Sequence, residues 1–252
     1  MKVFVVTNSN GVGVMLAHFT QLARELVELI YPAKCVVCAG PQVSPRTHLL
    51  CENCLGEIAA RPLPEGHSVA EKPGGMVGAH LDGVLAGWHF DESMQRVIHA
   101  FKYRRRPSLS RVLGETLALR LQDQRRAEIS PAAPFEAALV PVPLHPRRGR
   151  ERGFNQSLLL AQAVAEAWNM AVLPRGLERV RFTPSQAKLG AAARRENVEG
   201  AFAPAAKSNL QNYTIFLVDD VFTTGATMNA CAAALKSAGA ARVVGLALAK
   251  AA

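Results

Sequence analysis

Two adjacent carboxylates, Asp219 and Asp220, close the apolar run Ile215, Phe216, Leu217 and Val218, and Thr223, Thr224, Gly225, Ala226 and Thr227 follow. Residues of these types in this order suit a phosphorylated sugar. Two carboxylates accept hydrogen bonds from a cis-diol, and a nearby metal or backbone donors would ease their mutual repulsion. A loop that enters a helix offers free N–H groups and the positive dipole end to a phosphate. Gly225 lets the backbone come close, and the threonine hydroxyls add donors. No Gly-Lys-Ser/Thr follows the glycine, so the loop is not a Walker loop.

A second set of reactive side chains lies near the start. Cys35 and Cys38 form one C-x-x-C knuckle, and Cys51 and Cys54 form another. Thiolates at that spacing close a tetrahedral site around one zinc ion. The stretch between them has turn residues Gly40, Pro41 and Pro45 and little apolar sequence, so metal would supply folding energy. Two disulfides or a redox pair fit a reducing compartment poorly. His48 is an alternative ligand but reads as a polar loop residue. Cys231, among alanines, reads as a small hydrophobe.

Four arginines, Arg147, Arg148, Arg150 and Arg152, follow a proline-rich strand end at 140–146. Guanidinium forks bind phosphate oxygens in pairs. The spacing predicts a loop at the carboxyl end of its strand, where ligands of open α/β sheets collect. Charge is concentrated here: residues 96–152 carry 13 Lys/Arg against 5 Asp/Glu within a net charge of +9. Such a segment suits a polyphosphate, a nucleic acid or simply a solvated helix face, and charge alone does not choose. Lys102 and Arg104–Arg106, at a helix end, are accounted for by the helix dipole without any ligand.

The elements that position these groups alternate. Leu16, Phe19, Leu22, Ala23, Leu26, Leu29 and Ile30 have helical spacing, ended by Tyr31-Pro32. Residues 61–80 are rich in Pro and Gly and read as a linker. A strand at 81–90, a helix through Met94, Val97, Ile98 and Phe101, and a helix over about 109–126 come next. A strand ends near Val142, and a helix spans 153–170. Strands are expected at 171–173, 177–182, 214–219 and 242–249. Strands alternating with helices imply a parallel α/β sheet. Gly11-Val12-Gly13 is no dinucleotide fingerprint, because Leu16 occupies the place of a third small residue. With 49% hydrophobic and 19% charged residues, the composition is that of a globular protein. No apolar run approaches the roughly 20 residues that span a membrane, and the four-residue run at the start is shorter than the roughly 7–15 of a signal-peptide core. A cytoplasmic location with reduced cysteines is the expectation.

The segment 218–227, VDDVFTTGAT, resembles the phosphoribosyl pyrophosphate (PRPP) motif of type I phosphoribosyltransferases. With the paired C-x-x-C knuckles, HAFKYRR (99–105), VPVP (140–143), RGFNQ (152–156), TPSQ (183–186) and RRENV (194–198), in that order, the chain resembles the ComF family. Those proteins are linked to DNA uptake and use in bacteria. The resemblance implies a type I phosphoribosyltransferase fold with a small four-cysteine zinc ribbon in front. The expected organisation is an extension and helix over 1–30, ribbon 31–60, linker 61–80 and transferase domain 81–252.

It further implies displacement of pyrophosphate from Mg²⁺–PRPP by a nitrogen nucleophile. Asp219 and Asp220 would hold the ribose hydroxyls, and Thr223, Thr224, Gly225, Ala226 and Thr227 the 5′-phosphate. Arg147, Arg148 and Arg152, with Mg²⁺, would hold the pyrophosphate. Residues 183–201 would be a lid to which Arg194 and Arg195 contribute. The rival implication is a PRPP-sensing or nucleic-acid-binding accessory, with single-stranded DNA or a protein of the competence machinery as partner.

Overall fold

The apolar segments assemble into one five-stranded sheet, in a computed structural model that describes residues 34–41, 43, 44, 47, 49–64, 79–103, 108–129, 136–181, 183, 196–205 and 209–251. Its strands are β1 (Gly83–His89), β2 (Glu136–Pro141), β3 (Ala171–Val172), β6 (Tyr213–Phe222) and β7 (Arg242–Lys250), in the order β1-β7-β6-β2-β3. Every pairing in it is parallel. The parallel sheet flanked by helices is the fold class the sequence led us to expect. Short strands β4 (Leu177–Arg179) and β5 (Phe202–Pro204) form a separate antiparallel pair. The segment expected to be a lid runs between them; most of it, with Arg194 and Arg195, lies outside the described residues. So do the helix before Pro32, His48, Arg104–Arg106 and most of the linker.

Both faces of the sheet are covered, which is why its strands read as unbroken apolar runs. Alternation along β6 sends Phe216 and Val218 into one core and Ile215 and Leu217 into the other. The first core holds α2 (Glu92–Tyr103), α3 (Ser108–Arg120) and α6 (Gln156–Trp168). There α3 and α6 nearly touch: a Cβ on Gly114 would sit 2.5 Å from that of Ala163. The second core holds α7 (Ala226–Ser237) and the β4–β5 pair.

Helix α1 (Glu52–Ala60) brings the cysteine module onto the first core. Cys35, Leu49, Leu50, Cys54 and Ile58 share one apolar cluster with Trp88 and Phe101. The module meets β1, an edge strand of the sheet, through Trp88. Trp88 Nε1 donates to Ile58 O at 2.7 Å. Arg120 donates to Gly87 O, Ala59 O and Arg61 O, and its guanidinium lies 5.0 Å from the Trp88 ring centroid.

Four expectations need correction. The single helix over 109–126 is two, α3 and α4 (Gln122–Glu128), broken at Leu121. The arginine segment is not a loop but a short helix, α5 (Pro146–Arg152). The His145 side chain accepts from the Arg147 N–H, Pro146 occupies the first turn, and Gly153 at φ 79° ends the helix. For that reason α6 begins at Gln156 and not at Gly153. Strand β6 runs on through Phe222, so the acid pair lies within its last residues, with Asp219 opposite Ala247.

Candidate functional site

The site is built where β2, β6 and α7 meet at the carboxyl edge of the sheet. Successive side chains on a strand point to opposite faces. Asp220 therefore falls on the side of α2 and α6, and Asp219 on the side of α7. Gly225, at φ 72°, turns the chain from β6 into α7; a left-handed residue there is easiest without a Cβ. The first intrahelical bond runs from the Asn229 N–H to Gly225 O at 2.8 Å. The N–H groups before it belong to the first turn of the helix. They border a cleft of about 210 Å³ that is lined by Lys102, Asp219, Asp220 and residues 221–228. Of the expected sugar-phosphate residues, Asp219, Asp220, Thr223, Thr224, Gly225, Ala226 and Thr227 are all brought together here.

Residues 154–157 explain how the arginine helix reaches the same place. Phe154 packs on Phe101, ring centroids 6.3 Å apart. Asn155 caps α6 by accepting from the Ser157 N–H at 3.0 Å, and its Nδ2 donates to Val142 O at 3.1 Å, pinning the helix start to the end of β2. Gln156 and Ser157 then face the acid pair. Gln156 Nε2 donates to Asp220 Oδ2 at 3.1 Å, and Ser157 Oγ donates to Asp219 Oδ1 at 3.1 Å. Arg152 donates to Gln156 Oε1 at 2.9 Å and lies over the Tyr103 ring at 5.2 Å. Helical spacing puts Arg148 and Arg152 on one face, where both are half-buried. Arg147 and Arg150 are exposed, and Arg147 lies 3.3 Å from Glu151 Oε1.

Lys102 corrects the sequence reading most sharply. The helix dipole was expected to account for it, yet its Nζ lies 3.0 Å from Asp220 Oδ2. Gln156 and Ser157 were missed too; the signal was a polar pair directly after a helix cap, in a motif whose capping role alone needs only Asn155. Burial raises the Asp219 carboxyl, and the charge of Asp220 raises it further, to about 7; the Asp220 N–H, Lys102 and Ser157 pull the other way. Burial likewise raises the thiol of Cys231, which the neighbouring Asp219 charge reinforces, and the residue packs among the α7 alanines as a small hydrophobe.

Cys35, Cys38, Cys51 and Cys54 form a second centre. Their Sγ atoms all lie within 4.8 Å of one another, and Cys38 Sγ is 3.8 Å from Cys51 Sγ. Four sulfurs at about 2.3 Å around one tetrahedral ion are about 3.8 Å apart, so the donor set fits a dication such as zinc. Burial would raise the Cys35 thiol, but the N–H groups of Cys38, Cys51 and Val37 outweigh it and bring it to about 6; burial pushes Cys54 up. Arg96 donates to Val37 O at 2.8 Å and ties the first knuckle to α2.

No family model matches the chain. A DNA utilization protein YhgH of Salmonella typhi is 33% identical over 223 residues, 88% of this chain and 92% of that protein. A competence protein F of Haemophilus influenzae is 29% identical over 211 residues, covering 83% and 88%. Among solved structures, a glutamine PRPP amidotransferase from B. subtilis, complexed with ADP and GMP, is similar at 21% identity and a TM-score of 0.34, over 58% of this chain and 30% of its own.

Proposed function

The chain belongs to the family of DNA utilization protein YhgH and competence protein F, and from that premise we propose that its cleft binds Mg²⁺–PRPP and transfers the phosphoribosyl group to a nitrogen acceptor in the service of DNA uptake or use. One observation carries the reading. The acid pair and the first turn of α7 line one cleft, and Arg152 is joined to it through Gln156.

The acid pair receives the ribose hydroxyls. Thr223, Thr224, Gly225, Ala226 and Thr227 hold the 5′-phosphate through N–H groups and hydroxyls, favoured by the helix dipole. Arg148 and Arg152, with Arg147 at the rim, face the pyrophosphate that arrives with Mg²⁺ as part of the substrate. As the bond from C1′ to pyrophosphate lengthens, positive charge grows on the sugar and negative charge on the leaving group. Carboxylates beneath the ribose and guanidinium groups beside the pyrophosphate stabilise both. The acceptor nitrogen supplies the new bond's electron pair and gives up its proton, and pyrophosphate leaves with the old pair. Zinc held by the four cysteines would serve structure, because the cysteines join the core around Trp88 and Phe101 and none of them lines the cleft.

Pyrophosphate release from Mg²⁺–PRPP, measured across a panel of amines and nucleobases, tests transfer. Arg148→Ala and Arg152→Ala should weaken PRPP and pyrophosphate binding far more than ribose 5-phosphate binding, which lacks the group these arginines hold. A second reading, a PRPP sensor or nucleic-acid accessory, is favoured by the basic middle segment and the exposed Tyr103 ring, tilted against His99 with centroids 4.7 Å apart. Single-stranded DNA affinity that falls steeply with salt, with PRPP bound but never turned over, would select it.

A further inference from the structure

From the geometry around β6 we infer that Lys102 is a working residue of the cleft: it is an internal counter-ion that locks Asp220 and leaves Asp219 as the carboxylate of the pair more open to a ligand's hydroxyls. The two acids look alike in sequence but not in place. Asp220 is 5% exposed, and its Oδ2 already takes both Lys102 Nζ at 3.0 Å and Gln156 Nε2 at 3.1 Å. Those donors come from α2 and α6, the elements on the face to which the pleat turns Asp220. Asp219 is half-buried. Only its Oδ1 is engaged, by Ser157 Oγ at 3.1 Å and the Asp220 N–H at 2.9 Å. No donor to its Oδ2 is found among the described residues.

A buried carboxylate that is paired and hydrogen-bonded is fixed in place, whereas an acid beside it resists a second charge. The groups that face Asp219 are Asp220 on its own strand, Lys102 on α2, Ser157 on α6, Arg179 on β4 and Cys231 on α7. An ammonium has three donors and the Asp220 bond uses one, so Lys102, which lines the cleft, has donors left for an anionic group there. The lock itself stands on these contacts alone; the ribose as occupant rests on the proposed PRPP reading.

Carbodiimide coupling to an amine, read by fragment mass spectrometry that splits Asp219 from Asp220, tests the division without any ligand. Asp219 should label at least about tenfold faster than Asp220 in the wild type, the factor that breaking one charge-assisted hydrogen bond on Asp220 gives. Lys102→Met should expose Asp220 to labelling, and Lys102→Arg should restore its protection. The wild-type ratio needs no variant to fold. Equal labelling of the two acids, or faster labelling of Asp220, would overturn the proposal. In calorimetry with Mg²⁺–PRPP, Asp219→Asn should lose more affinity than Asp220→Asn does, and the reverse order would also overturn it. If PRPP does not bind the wild type, the transferase reading fails, while the labelling ratio still decides the lock.

Discussion

Arg120→Met should loosen the cysteine module from the sheet. Arg120 reaches three carbonyls: Gly87 O at 3.0 and 2.9 Å, Ala59 O at 2.5 Å and Arg61 O at 2.7 Å. The carbonyls of exposed Ala59 and half-buried Arg61 regain water once the guanidinium is gone, so their loss costs little. Gly87 is buried on the edge strand, and its abandoned carbonyl costs about 1–3 kcal/mol. The guanidinium over Trp88 contributes about 0.5–2 kcal/mol more. Methionine keeps most of the apolar stem, so packing changes little. The expected loss is roughly 1.5–5 kcal/mol, the range of these two contributions together. Urea unfolding followed by tryptophan fluorescence and by circular dichroism reads it, and a zinc chelator should strip metal faster from the variant. A loss below about 0.5 kcal/mol, the range of an ordinary surface substitution, would refute the view that Arg120 joins module and sheet.

Other expectations follow from the same geometry. Elemental analysis of protein purified without added metal should find one zinc per chain, and Cys35→Ser should lose it; metal-free wild type with two disulfides would contradict the cluster. Gly114→Val should destabilise by about 1–3 kcal/mol in urea unfolding, because even a Cβ there meets Ala163 at 2.5 Å. The folded Asp219 carboxyl titrates at about 7 against an ordinary 3.8, so the folded state binds the extra proton. Its contribution is therefore favourable below 3.8 and is lost as pH rises towards 7. Wild type should thus lose stability relative to Asp219→Asn across that window, and the opposite slope in ligand-free unfolding would contradict the assignment.

The places of the acid pair, of the Thr/Gly turn into α7 and of the four cysteines were legible because each is local. An apolar run buried on both faces reads as β6, Gly225 punctuates its end, and paired C-x-x-C knuckles carry their own spacing. The arginine segment misled because four like charges suppress any apolar period. Its helix is set by caps, His145 before, Pro146 inside and Gly153 after, which are weaker signals than periodicity. Lys102 was out of reach for a different reason. Its partner Asp220 is brought to it by packing α2 against the sheet, and no local pattern encodes a contact between segments so far apart. Gln156 and Ser157 lie between the two cases. Asn155 reads as a cap, but only the bond from its side chain to Val142 O aims the next two residues at the acids.

Titration of Mg²⁺–PRPP into the protein by calorimetry tests the central claim most directly. The account predicts saturable binding to the wild type, weakened at least about tenfold in Asp219→Asn/Asp220→Asn with the fold intact, since charge-assisted hydrogen bonds contribute roughly 1.5–3 kcal/mol each. Absence of PRPP binding by the wild type, or binding unchanged in the double variant, would contradict it.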